Sequence, residues 1–285
     1  MLLFVKDRVG LILLSAASGL AGLAVVLVVE LIAVGWDRST LNKFLCPSAS
    51  FRRDIISYFV DITDVLAVVG NLAALGTAFY YGHLVRQYLG LNLLRSVPGI
   101  IAQNLLLIFV IGFFDYWMHR LMHKVPWMWE IHKYHPSATE MSVVTARRDS
   151  ILVVPLATFF KAIPFAVLGI PRAYPVFAAV ISAHAMLIHS ELDWDFGWFG
   201  RWFVISPHDH HVHHSMDEKH LDKNYAFLLP IWDQLFGTFY AERDEVVRIG
   251  LDDGYYNKHP YPAEMLWGLR SSVQRLFRSA SNRSE

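Results

Sequence analysis

Histidine carries the chemistry that this sequence suggests. Of 285 residues 14 are histidine, and eleven of those fall between His119 and His214. They form four clusters. His119 and His123 are spaced i, i+4, which on a helix puts both imidazoles on one face a turn apart. His132 and His135 are spaced i, i+3. His184 and His189 close an apolar run, and His210, His211, His213 and His214 follow Pro207. Rings so placed can offer two nitrogens to one ion, and all-imidazole sets suit zinc, iron, copper or nickel. The residues alone do not choose among these metals. Eight or more histidines exceed the three or four that one ion needs, so two ions are expected. Each cluster alone has a bland explanation: a surface pair, a packing histidine at His184, an adventitious metal-binding tract. Four clusters on one membrane face leave little room for accident.

The elements that must hold these rings read as membrane helices. Hydrophobic residues make up 54% of the chain, mean hydropathy is +0.35, and only 18% of residues are charged, against about 25% in soluble domains. Long apolar runs cover Val9 to Trp36 (interrupted by Glu30), Val65 to Tyr81, Pro98 to Phe114, Ile151 to Ile170 and Ala173 to Ile188. The third is expected to break at Asp115. The last two are separated by so few residues that they must form a hairpin. Residues 119–149 and 189–214, on either side of it, then share one membrane face. Arg120, Lys124, Lys133, Arg147, Arg148 and the tail residues Arg270, Arg275 and Arg278 lie on that face, and the positive-inside rule makes it cytoplasmic. The first run lacks a short h-region with a cleavage site and reads as an anchor, not a removed signal. Zero net charge offers no case for nucleic acid. The one cysteine, Cys46, excludes an internal disulfide and any multi-cysteine metal site. The fold expected is all-α: a polytopic membrane protein with four or five transmembrane helices and a His-rich cap on the cytosolic face.

The residues also resemble a known family. Asp115-Tyr-Trp-Met-His119-Arg120-Leu-Met-His123, Trp129-Glu-Ile-His132-Lys-Tyr-His135 and His210-His-Val-His213-His214 resemble the three histidine boxes of the fatty acid hydroxylase/sterol desaturase superfamily. Asp222-Lys-Asn-Tyr225, Ile231-Trp-Asp233 and Phe236-Gly-Thr-Phe239 resemble the stretch after the last box in its bacterial and ether-lipid-cleaving branches. The resemblance covers about residues 100–242. It implies a membrane enzyme that uses two iron ions (zinc being possible on purification) and O₂ to hydroxylate or desaturate a sterol, fatty acyl, carotenoid or ether lipid. Electrons must come from outside, because no flavin, haem or dinucleotide fingerprint is visible; a reductase, ferredoxin or cytochrome b5-like partner is implied. The second box departs from the family's HxxHH, reading His132-Lys-Tyr-His135-Pro136. His211 or His184 could replace the missing ligand, one metal could be held weakly, or turnover could have been lost. Thr145 to Asp149 likewise lacks a histidine that many members carry, as does the ether-lipid branch.

These readings divide the chain into an anchor region, 1–98, a catalytic domain, 99–242, and a cytosolic tail, 243–285, loose from Ser271. The expected metal ligands are His119, His123, His132, His135, His184, His189, His210, His213 and His214. Asp115 and Asp209 are candidate acceptors for the free ring nitrogens of ligands. Asn224 and Asp233 are expected to fix loop structure. Two rivals are weighed. A metal transporter or store would place histidines at mid-bilayer in repeated halves, and no repeat is apparent. A metal-dependent lipid hydrolase would want an HExxH-like base, which is missing.

Overall fold

A computed structural model describes residues 2–63, 84, 87, 88, 93–243 and 247–281. Among them the secondary structure is helical apart from one isolated bridge between Ser215 and Ile249. The expected second span, Val65 to Tyr81, and His83 lie outside the described residues.

Helix α1, Leu2–Val34, has an apolar stretch from Ala17 to Val34 long enough to cross a membrane. Glu30, which interrupts that stretch, is fully buried. Its carboxylate accepts from Thr40 N at 2.7 Å, Thr40 Oγ1 at 2.9 Å and Glu191 N at 2.9 Å. A charge is tolerated there because every donor it needs is brought to it. After the short α2, Thr40–Lys43, the Ser48 hydroxyl caps α3, Ala49–Ile62, by accepting from Phe51 N. Phe51 and Tyr58 of α3 pack with Val26 of α1, and with Val143, Val144 and Met186, in one buried cluster.

Helix α4, Ile100–Lys124, runs unbroken through Asp115. The apolar run ends at Asp115 while the helix carries on through His119 and His123, as their i, i+4 spacing requires, and Lys161 reaches Asp115 Oδ1 at 3.4 Å to compensate the carboxylate. At 25 residues α4 is about 37 Å long. That exceeds a hydrocarbon core of about 30 Å, so its last turns, with His119 and His123, can lie at the membrane edge. The chain extends at Val125 and restarts with Pro126 at the first position of α5, Pro126–His132.

The last two apolar runs are present as α6, Val153–Leu168, and α7, Tyr174–Ile188, but not as the tight hairpin expected: α6 packs on α4 and α7 on α1, so each finds its partner elsewhere instead of along the other. Gly169, at φ 86°, turns the chain where a side chain would be strained. These helices have 16 and 15 residues, against 25 in α4; at about 24 and 22 Å they are shorter than the bilayer core. Helix α1 packs along α7, closely enough that a Cβ at Gly22 would meet Ala183 Cβ at 3.3 Å. Short helices α8, Gly197–Trp202, α9, Pro207–His213, and α10, Ile231–Phe236, lead to α11, Tyr261–Ser281. The tail expected to be loose from Ser271 is therefore helical to Ser281. It is held by packing of α11 on α5.

Candidate metal centre

Four elements bring eight histidines into two adjoining groups. His119, His123, His132 and His213 form one, and His135, His189, His210 and His214 the other; within each, the ligand nitrogens lie within 4.8 Å of one another. The groups share their carriers. The end of α5 sends His132 to the first group while the turn after it sends His135 to the second. Helix α9 sends His213 to the first, and its i, i+4 pair His210 and His214 to the second. Ring centroids across the boundary are 5.6 Å apart for His132 and His135 and 5.5 Å for His213 and His214.

Hydrogen bonds fix which nitrogen each ring presents. A carbonyl oxygen can only accept, so a ring nitrogen beside one must carry the proton. His119 Nδ1 donates to Tyr225 O at 2.7 Å and His213 Nδ1 to Lys223 O at 2.8 Å. His135 Nδ1 donates to Arg148 O at 3.1 Å and His189 Nδ1 to Ala185 O at 2.7 Å. All four are left with an Nε2 lone pair. In the second group, Nε2 of His189 stands 3.3 Å from that of His135 and 2.9 Å from that of His210. His135 and His189 both carry their proton on Nδ1, so their two Nε2 lone pairs face each other and repel unless a cation lies between them. Nitrogens held about 2.1 Å from one ion stand about 3.0–3.4 Å apart, which is the spacing found. In the first group His123 Nε2 and His213 Nε2 are buried without a hydrogen-bond partner. The residues therefore fit two metal ions, each with four imidazoles.

Burial keeps these rings neutral. It holds His132, His189, His210 and His214 well below the ordinary 6.5, with neighbouring imidazoles adding to the effect. Burial also lowers His135 and His213 to about 4, against the opposing pull of their backbone hydrogen bonds. Neutral imidazole is the form that binds a metal.

Behind the rings stands a layer of supports. Asp233 accepts from Tyr225 N, Ala226 N and Thr238 Oγ1 at 2.7–2.8 Å, fixing the loop whose carbonyls orient His119 and His213. Asn224 donates to Asp209 O and accepts from Tyr240 N. Arg148, wholly buried, pairs with Asp54 at 2.7 Å. It also donates to Tyr134 O, Ser50 O, Ser137 Oγ and Asn257 Oδ1. Its carbonyl is the acceptor that orients His135. Asp54 and Asn257 are partners that sequence spacing could not supply, lying 94 and 109 residues from Arg148.

Four sequence candidates stand elsewhere. His184 belongs to neither group, and its Nε2 is buried without a partner. His211 donates to Ser190 O at 2.9 Å and is turned away from both groups. Asp115 pairs with Lys161. Asp209 accepts from Ser206 Oγ at 2.6 Å while Ser206 caps α9, so it steadies the helix start and meets no ligand ring. Neither group draws a ligand from position 136, where Pro136 is buried. His208, not singled out by its spacing, is buried and donates to Asp193 Oδ1 at 2.7 Å.

Residues 104–238, which hold all eight rings, match the fatty acid hydroxylase family model. The chain carries a fatty acid hydroxylase domain. Human alkylglycerol monooxygenase is 36% identical to it over 137 residues, covering 48% of this chain and 30% of that protein. Ornithine lipid hydroxylase OlsE of Rhizobium tropici is 33% identical over 128 residues, 44% of this chain and 38% of that one. Fatty acid hydroxylase vlmA of Lecanicillium is 31% identical over 162 residues, 51% and 43%. The chain spans about a third of the length of the alkylglycerol monooxygenases it matches. No solved structure matches it. Among the described residues two helices, through Ala17–Val34 and Ile100–Lys124, are long and apolar enough to cross a membrane.

Proposed function

We propose that this chain is an integral membrane oxidoreductase that uses two iron ions and O₂ to oxidise a C–H bond of a lipid. The observation that carries the reading is the pair of adjoining four-imidazole groups at the end of an apolar helix. The family match and the lipid hydroxylases among its relatives support it. Bound in these groups, iron would supply, with O₂ and two electrons, the oxidising power needed to break an unactivated C–H bond.

The protein's own part is positional. Carbonyls of Tyr225, Lys223, Arg148 and Ala185 lock four rings with Nε2 inward. Burial of all four rings of the second group keeps water from competing for them. His119 and His123 of the first group are only partly buried, so a lipid chain would approach on that side. Its entry would be sideways from the leaflet, beside α4. The alkylglycerol monooxygenases among the relatives favour an ether lipid as the substrate of this chain; fatty acyl and sterol substrates follow in that order. We further propose four or five spans, the metal face cytoplasmic, and a soluble reductase or small electron-transfer protein as donor.

The test is direct. Protein purified in detergent should hold close to two ions per chain. Membranes containing it should consume O₂ only with a reduced donor, and one atom from ¹⁸O₂ should enter the lipid product if it is hydroxylated. Desaturation would consume O₂ without that label. Oxygen-independent turnover, or active protein without tightly bound metal, would overturn the reading.

A further inference from the structure

The C-terminal helix α11 has three faces with different surroundings. Glu264, Met265, Gly268 and Ser272 are buried against the protein. Ser272 Oγ donates to Trp127 O at 2.9 Å, and a Cβ at Gly268 would meet Glu130 O at 3.3 Å. Arg275 reaches Glu130 at 3.3 Å. All of these partners belong to α5, one residue beyond the end of α4. The next face is an apolar stripe at helical spacing: Leu266, Leu269, Val273, Leu276 and Phe277. None of it is covered, and Leu266 and Phe277 are 65% and 69% exposed. The third face, with Arg270 and Gln274, is polar and exposed.

An uncovered apolar stripe beside a polar one is costly in water, and it is the pattern of a helix lying in a membrane interface. Two further facts select a bilayer as its occupant. From Met265 to Ser284 the chain has four arginines, Arg270, Arg275, Arg278 and Arg283, and no acidic residue, which suits an anionic headgroup layer. The helix is also docked on the element that directly continues a membrane-length helix, so it sits at the level where headgroups begin.

We infer that α11 lies in the plane of the membrane surface, with Leu266, Leu269, Val273, Leu276 and Phe277 sunk among the acyl chains and Arg270, on the exposed polar face, at the anionic headgroups. Because its protein face holds Trp127 and Glu130, this seating also sets the height of α5, and with it His132, above the bilayer. The inference needs only α11 and α4, and stands apart from the oxygenase reading.

The full chain, with Cys46→Ser, is reconstituted into nanodiscs of phosphatidylcholine with a minority of phosphatidylglycerol. Single nitroxide labels are placed through Leu269→Cys, Val273→Cys and Gln274→Cys. Collision rates with O₂ and with a water-soluble nickel chelate are then compared. Labels at 269 and 273 should favour O₂ and lie about 5–10 Å below the phosphates, while the label at 274 favours nickel. Removing phosphatidylglycerol should move the first two towards water. Nickel-favoured collisions at all three sites would overturn the inference by leaving the stripe in water. Exclusion of both reagents at 269 and 273 would overturn it by showing a protein cover, such as a second copy. A depth indifferent to phosphatidylglycerol would overturn the role of Arg270. Unchanged metal content of each variant confirms that the fold is intact.

Discussion

The two histidine groups use the same ligand type and number but are built differently. The first takes two rings from one long apolar helix, His119 and His123 of α4, and both remain partly accessible. The orienting carbonyls of His119 and His213 come from one loop, 223–225, that Asp233 clamps. The second takes His135 from a turn, His189 from the cap of α7, and His210 and His214 from α9, and all four are buried. Its supports are deeper: His135 leans on Arg148, whose guanidinium ties α3, Tyr134 and Asn257 together. Openness thus goes with the group mounted on the membrane helix. Rigidity goes with the group assembled from many parts of the chain.

The largest effect should come from deleting a ligand. His123→Ala and His189→Ala should each lower occupancy from two ions towards one, as read by elemental analysis. Each should cut turnover by more than the roughly 10- to 100-fold that losing an outer support costs. If the contrast between the groups holds, His189→Ala should also lower thermal stability more, since it opens a fully buried site. Equal destabilisation by both would remove the distinction.

Next in size is the support of the second group. Arg148→Met strands the Asp54 carboxylate in the interior and should cost about 3–5 kcal/mol, as broken buried pairs do. The double variant Arg148→Met/Asp54→Leu should recover much of that stability in denaturant unfolding. Metal titration of the double variant should nevertheless show the second ion bound about 10- to 100-fold more weakly, with the first unchanged. Weakening of both ions alike would mean that Arg148 acts on the fold as a whole.

Acid should act on both groups over the same pH range. The buried histidines have pKa values below their unfolded 6.5, at about 4 for His135 and His213. The unfolded chain therefore binds more protons between about pH 6.5 and 4, so stability is full above that window and falls as pH drops through it. Melting of the metal-free protein should be flat above pH 7 and decline steadily below 6.5. A melting temperature that rises on acidification would reverse the sign and refute neutral burial.

The smallest effects concern residues outside both groups. His184→Leu should leave metal content unchanged and be neutral or slightly stabilising, because it removes a buried nitrogen without a partner. Pro136→His should not tighten either site, since each already has four rings, and overpacking should cost about 1–3 kcal/mol. Tighter metal binding in Pro136→His would show that one group is short of a ligand.

Much of this centre is written in local spacing. A helix repeats every 3.6 residues, so the pairs His119/His123 and His210/His214 share a face wherever the helices go, and the apolar runs announce α6 and α7 though not the helices they pack on. Local pattern marks Asp115 as the end of an apolar run, but only the fold supplies its partner Lys161, 46 positions on. It misled after Ser271, where a Ser- and Arg-rich tail reads as loose although packing on α5 keeps it helical. Residue types and spacing were enough to show imidazoles gathered at the ends of apolar helices in numbers suited to two metal ions. Packing between distant segments sorts the rings into two groups: His132 parts from His135, and His213 from His210 and His214. It alone leaves His184 aside and makes the carbonyl of Arg148 a support. The reason is range, for spacing along a helix is set by bonds between near neighbours, whereas a metal's ligand set is chosen by distance across the fold.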